Sequence, residues 1–142
     1  MVDIYTHYCR GDSAVARFLT VYIEEAHARD EWYLPDVQDA ATKRNISSHL
    51  SIADRRAAAT RFVADTGFPV ELVCDSMDGH MVDRYRGHPE RLYIIQDGVI
   101  VYKGKPGPFG YNLPEVKQWL ADRYGLRGEM ISKTAEGEME VM

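Results

Sequence analysis

The sequence predicts a layered α/β domain, three layers deep in the order α/β/α around a mixed sheet, and three observations carry that prediction. Asp97-Gly98 joins two apolar runs, residues 92–95 and 99–102. A two-residue Asp-Gly link needs positive φ at both positions and is the strongest short-range hairpin signal, so the two runs pair as antiparallel strands. Residues 18–23 are almost continuously apolar between charges, the pattern of a central parallel strand covered on both faces. Helix start signals alternate with these runs: Ser51 and Asp54 have capping-box spacing, and Asn112 precedes Pro114 and Glu115. The second set reads as an N-cap, a first-turn proline and a carboxylate at the positive end of the helix dipole.

Composition bounds the function classes. A chain of 142 residues, 45% apolar and 27% charged, is large enough for one real core and too short for two ordinary domains. We expect residues 1–127 to form that domain, and residues 128–142, acidic and without a periodic face, to be a disordered tail. A net charge of -5 without a clustered basic stretch argues against nucleic acid as a partner. No apolar run approaches the roughly 18 residues of a membrane span, and the N-terminus lacks a targeting pattern, so a soluble chain is expected. Cys9 and Cys74 stand 65 positions apart, which is neither a redox pair nor a zinc pattern, and a reducing cytoplasm is the default.

In chain order, Met1, Ile4, Tyr5 and Tyr8 follow an i, i+3, i+4, i+7 pattern and Gly11 stands where a C-cap belongs, so a helix ends there. No capping residue precedes the pattern, and the helix reads as cut at its start. After the strand at residues 18–23, residues 28–46 show no clean periodicity, with Trp32 and Pro35 among charges. An insert of that length is a lid or a binding loop more often than a plain connection. The helix opened by Ser51 has Ile52, Ala59, Phe62 and Val63 on one stripe and ends at Gly67. Residues 70–74 form a second buried strand, with Cys74 a small core residue rather than a nucleophile. Asp78-Gly79 makes a turn before a short helix through Met81, Val82 and Tyr85, and the last helix, residues 114–124, turns Val116, Trp119 and Leu120 inward.

Chemistry concentrates at the end of the first strand, where Glu24-Glu25-Ala26-His27 follows the apolar run. Ligands of open α/β sheets bind beyond the carboxyl ends of parallel strands, so carboxylates and an imidazole placed there suit acid–base work. If the strand persists, alternation puts Glu25 and His27 on one face, where each tunes the other. A solvated strand end is an equally good reading of the same spacing. His49, just before its helix, is by itself more often a capping or surface residue. His80 and His88 lack metal-ligand spacing on one helix, and no metal is assigned. Five glycines and prolines among the seven residues 104–110 make a preorganised loop around Lys105.

The order helix, strand, helix, strand, short helix, hairpin, helix is the thioredoxin-like plan without its first strand and the start of its first helix. Within it, Val21-Tyr22-Ile23-Glu24-Glu25-Ala26-His27, Asp30 and Trp32, His49, Pro89-Glu90-Arg91-Leu92-Tyr93, and Tyr102-Lys103-Gly104-Lys105-Pro106-Gly107-Pro108 with Tyr111-Asn112 resemble the iodothyronine deiodinase family. The match runs from Tyr8 to Tyr124 in one order, and it departs at Arg29-Asp30-Glu31-Trp32 and in a longer insert before His49.

That resemblance implies a thioredoxin-like fold related to peroxiredoxins and a selenocysteine or cysteine that attacks the iodine of a phenolic ring before an external thiol regenerates it. It implies His27, Glu25 and His49 as catalytic residues, with Tyr22, Trp32, Arg91 and Lys105 around the substrate. No bound cofactor is implied. No residue of this chain occupies the nucleophile's position, since Cys9 falls at the far end of its helix. The resemblance therefore implies a truncated reading of a longer selenoprotein, its selenocysteine about one or two helical turns upstream of Met1, and no turnover by the chain as written. The partners implied are a small halogenated aromatic and a thiol reductant; a homodimer is left open. A peroxidase of peroxiredoxin type, and a catalytically dead thioredoxin-like binding module, are the alternatives.

Overall fold

The computed structural model describes residues 1–34 and 46–125. The elements are α1 (Val2–Tyr8), β1 (Leu19–Tyr22), α2 (Ile52–Thr66), β2 (Glu71–Cys74), α3 (His80–Tyr85), β3 (Tyr93–Gln96), β4 (Val99–Lys103) and α4 (Leu113–Tyr124). The fold is mixed α/β, and each strand and helix expected from the sequence is present within a few residues. Most of the 28–46 insert and the whole acidic tail, residues 128–142, lie outside the described residues.

Local signals explain the element ends. Ser51 is extended at φ -148° and accepts the Asp54 N–H, and Gly67 closes α2 in the left-handed region at φ 62°. Asn112 accepts the Glu115 N–H while its side-chain amide donates back to Glu115 Oε1 at 2.9 Å, so both ends of the first turn of α4 are satisfied. Asp97 and Gly98 take φ values of 51° and 77°, as the two-residue turn demands. The C-cap of α1 is Cys9 rather than the expected Gly11; Gly11 turns the chain two residues later at φ 78°.

The sheet departs from expectation. β1 pairs with β2 in parallel, Leu19 opposite Glu71 through Tyr22 opposite Cys74, and β3 pairs with β4 antiparallel with a bulge between Ile94 and Ile95. Among the described residues these are two separate two-stranded ladders rather than one mixed sheet. Each ladder has its own packing. Ile4 and Tyr8 of α1 are buried against Val116 and Leu120 of α4, with Leu92, Ile94 and Tyr102 of the hairpin packed onto that cluster. The Tyr8 hydroxyl donates to the Gly125 carbonyl at 2.9 Å and ties the two helices. On the other side α2 covers the parallel pair through Phe62, whose ring lies 6.3 Å from that of Tyr22.

The expectation that helices cover both faces of every strand is corrected. Leu19, Ile95, Val99, Ile100 and Val101 are all 42–62% exposed, so among the described residues these strands are not covered on both faces. Apolar, β-branched runs are the mark of doubly covered strands, and here the cover is half built.

Candidate active site

The candidate site lies where β1 stops. Hydrogen bonding of β1 to β2 ends at the Tyr22–Cys74 pair, and the Asp75 N–H donates to the Tyr22 carbonyl at 2.9 Å to close the ladder. The strand therefore does not persist through His27, and alternation no longer sets that residue's direction. What is assembled instead is a group of three side chains. The Tyr22 hydroxyl donates to Glu25 Oε1. His49 Nε2 stands 3.8 Å from the same oxygen, with the His49 side chain only 3% exposed, and the Tyr22 and His49 rings are 6.0 Å apart.

His49 reaches this place because the insert closes on itself at its base. The Arg29 N–H donates to the Ile46 carbonyl at 2.9 Å, and the Ser48 N–H donates to Asp30 Oδ1 at 2.7 Å. The Ser48 bond holds the Asp30 carboxyl below its usual range. These bonds bring residues 46–49 back beside the end of β1, so a histidine 27 positions beyond Tyr22 in sequence becomes its neighbour. Burial lowers the His49 pKa; the Glu25 and Asp54 charges pull it up and Arg55 pushes it down, leaving it below the ordinary 6.5. Its Nε2 is buried without a hydrogen-bond partner among the described residues.

The remaining expected residues fall into separate places. His27 Nδ1 donates to the Trp32 carbonyl at 3.1 Å, and its ring meets the Trp32 indole edge-on at 4.9 Å. Trp32 itself is 69% exposed. Arg91 directs Nε to the Gly104 carbonyl at 2.8 Å and lies over the Tyr93 ring, so it fastens the 104–110 loop to the hairpin. Lys105 is exposed on that loop. The loop is tight where glycine is required: a Cβ at Gly110 would lie 2.5 Å from the Lys105 Cβ and from the Pro106 carbonyl oxygen.

Two residues of the site were missed from sequence. Arg55 is 4% exposed and Asp75 2% exposed, although helix periodicity gives Arg55 no reason to be inside. Arg55 donates Nη1 to the carbonyls of Asp75 at 3.0 Å and Ser76 at 2.7 Å. Asp75 Oδ atoms accept from the N–H groups of Ser76, Met81 and Val82. Burial raises the Asp75 pKa, but those three donors and the Arg55 charge outweigh it and leave it below the ordinary 3.8. The only advance signal was an acid at a strand end ahead of the Asp78-Gly79 turn. A small polar pocket of about 160 Å³ opens between Glu24, Arg55 and α3. A larger groove of about 370 Å³ runs between α1 and α4 past Asp3, Ile4 and Lys117, but it contains none of the Tyr22, Glu25 and His49 group.

An α/β scaffold here gathers a tyrosine, a carboxylate and a buried histidine, three groups able to exchange protons, at the end of a parallel strand. Comparison with known proteins supplies the family. The iodothyronine deiodinase family model matches residues 3–124. The chain is 45% identical over 104 residues to a type I iodothyronine deiodinase of Xenopus laevis, covering 73% of this chain and 38% of that protein. It is 41% identical over 119 residues to a type II iodothyronine deiodinase of Aquarana catesbeiana, covering 82% and 44%. To a thyroxine 5-deiodinase of Bos taurus it is 44% identical over 108 residues, covering 75% and 33%. The chain belongs to the iodothyronine deiodinase family, and it spans less than half the length of these relatives.

Proposed function

We propose that this chain carries the proton-handling part of a reductive dehalogenase acting on an iodinated phenolic ring, with the selenol or thiol nucleophile on a segment beyond the described residues. The observation that carries the reading is the group of Tyr22, Glu25 and buried His49 at the end of β1 in a member of this family. In the reaction the nucleophile takes the iodine from the ring carbon, and the carbon takes a proton in its place. Two reductant thiols then leave as a disulfide, releasing iodide and the free nucleophile. Glu25, flanked by the Tyr22 hydroxyl and His49, supplies and reloads that proton. Trp32 and His27 offer an aromatic surface to the ring, and Lys105 an ammonium to an anionic substituent.

Two further observations favour an external nucleophile. Burial pushes the Cys9 thiol up, with only partial relief from the Phe18 backbone, the wrong direction for a thiolate. Cys74 ends β2 and is unbonded. Two free cysteines and a thiol reductant suit a reducing compartment such as the cytoplasm; among the described residues no helix is long and apolar enough to cross a membrane.

The test compares iodide release from an iodothyronine, with dithiothreitol as reductant, by residues 1–142 and by a longer protein that includes the nucleophile. We expect release by the longer protein alone, lowered about a hundredfold by Glu25→Gln. Consumption of hydroperoxide without iodide release would replace the reading by a peroxidase. Loss of both activities with retained iodothyronine binding would make the chain a binding module.

A further inference from the structure

We propose that Arg55 is a positioning residue that locks His49 into a single tautomer, with its proton on Nε2 and directed at Glu25. The geometry starts from an arginine in an unusual place. Arg55 lies in the first turns of α2, four residues after the Ser51 N-cap, where a charged side chain ordinarily faces water. Here it is 4% exposed. Its Nη1 is fixed by the carbonyls of Asp75 and Ser76, and Asp75 is in turn fixed by three backbone N–H groups at its own carboxylate. The guanidinium is thus held by the end of β2 and the start of α3, not by a mobile surface partner. In that position its Nε points at His49 Nδ1, 3.4 Å away.

A guanidinium has donors only and keeps its charge at any accessible pH. The atom it donates to must offer a lone pair, so Nδ1 of His49 is unprotonated. A neutral imidazole carries one proton, which is then on Nε2. Protonating Nδ1 would set two N–H groups against each other and a cation against a buried cation. Nε2 is the atom buried without a hydrogen-bond partner among the described residues, and it stands 3.8 Å from Glu25 Oε1. One short movement turns that approach into an N–H donated to a carboxylate that already accepts from Tyr22. The groups facing the ring agree in sum: burial and Arg55 disfavour the imidazolium, Glu25 and Asp54 favour it, and the neutral form prevails.

The use of this tautomer in turnover rests on the function proposed above, whereas the tautomer itself does not. It is therefore tested on residues 1–142 by long-range proton–nitrogen spectra of nitrogen-15-labelled histidine against pH, with His49 assigned from His49→Asn. The wild-type chain should show Nδ1 as the bare nitrogen and Nε2 as the protonated one across neutral pH, titrating below 6.5. Arg55→Met, which keeps bulk and removes the donor, should mix the two tautomers and move the titration up toward the ordinary value. Arg55→Lys should restore the Nε2–H form at least in part. A protonated Nδ1 in the wild type overturns the proposal, and so does a folded Arg55→Met with tautomer and titration unchanged. If Arg55→Met does not fold, the wild-type tautomer and the lysine variant decide. Failure of iodide release in the longer protein would remove the dehalogenase reading and leave this result standing.

Discussion

At Glu25 a single carboxylate oxygen is shared by two groups of different kind, a phenol that donates to it and an imidazole that approaches it. The asymmetry gives a test of sign. Burial and Arg55 both oppose protonation of His49, and Glu25 is the first of the charges that favour it. Glu25→Gln removes that favourable charge without opening the site, so the His49 titration should move further below 6.5. Nitrogen-15 histidine titration reads it directly, and an upward movement would mean that Glu25 does not face the ring in solution.

Asp75 makes a second prediction at the same scale. Its folded pKa is depressed below 3.8, so its contribution to stability is fully present above the unfolded value and is lost as pH falls through the folded one. Asp75→Asn keeps an acceptor oxygen and loses the charge. The variant should be less stable than wild type by about 1–2 kcal/mol at neutral pH, with the gap closing below about pH 4. Urea denaturation at pH 7 and pH 3 measures both, and a gap that widens in acid would contradict the assignment.

At the scale of elements, a phenol adds a polar tie to the apolar packing of the hairpin on α4. The Tyr102 hydroxyl donates to Glu115 Oε2 at 2.7 Å, while the other Glu115 oxygen accepts from the Asn112 side chain. Burial, and then the Glu115 carboxylate, push the Tyr102 pKa up to about 12. The raised value adds stability present below the unfolded value and lost as pH rises through the folded one. Tyr102→Phe should therefore cost about 1 kcal/mol at neutral pH, and an ultraviolet phenolate titration should lose its most alkaline step. The 104–110 loop admits less change: Gly110→Ala places a methyl 2.5 Å from fixed backbone and should destabilise by about 1–3 kcal/mol.

These elements also show what the sequence could and could not disclose. The Asp97-Gly98 turn, the Ser51 cap and the Asn112–Glu115 box are rules acting over two to four residues, and each was legible because the whole interaction lies within the window. Glu25 and His49 were named, but their meeting depends on Arg29–Ile46 and Asp30–Ser48 contacts that no local pattern encodes. Arg55 and Asp75 were invisible for the same reason, since tertiary packing alone turns a helix-face arginine inward. His27 was placed by a strand that ends five residues too early, and it turns to Trp32 instead.

At the scale of the whole molecule, the described residues form two ladders where the thioredoxin-like plan has one sheet. Among the described residues β1 is bonded only to β2, and β3 only to β4, so each has an edge that none of them pairs. Alongside those edges Leu19 and Ile95 are 50% and 52% exposed, and Val99, Ile100 and Val101 extend the apolar surface along β4. Open apolar edges recruit further strands, from the same chain or another. We therefore expect residues 1–142 alone to bind a hydrophobic dye and to associate as concentration rises. A longer protein that contributes an apolar strand between β1 and β3 should bind less dye and remain dispersed. A net gain of about 2 kcal/mol from covering those side chains corresponds to a melting temperature higher by roughly 6 °C in a domain of this size. Dye fluorescence, light scattering and thermal melts on the two proteins are sufficient. Equal melting temperatures and equal dye binding would show that the two ladders are already complete.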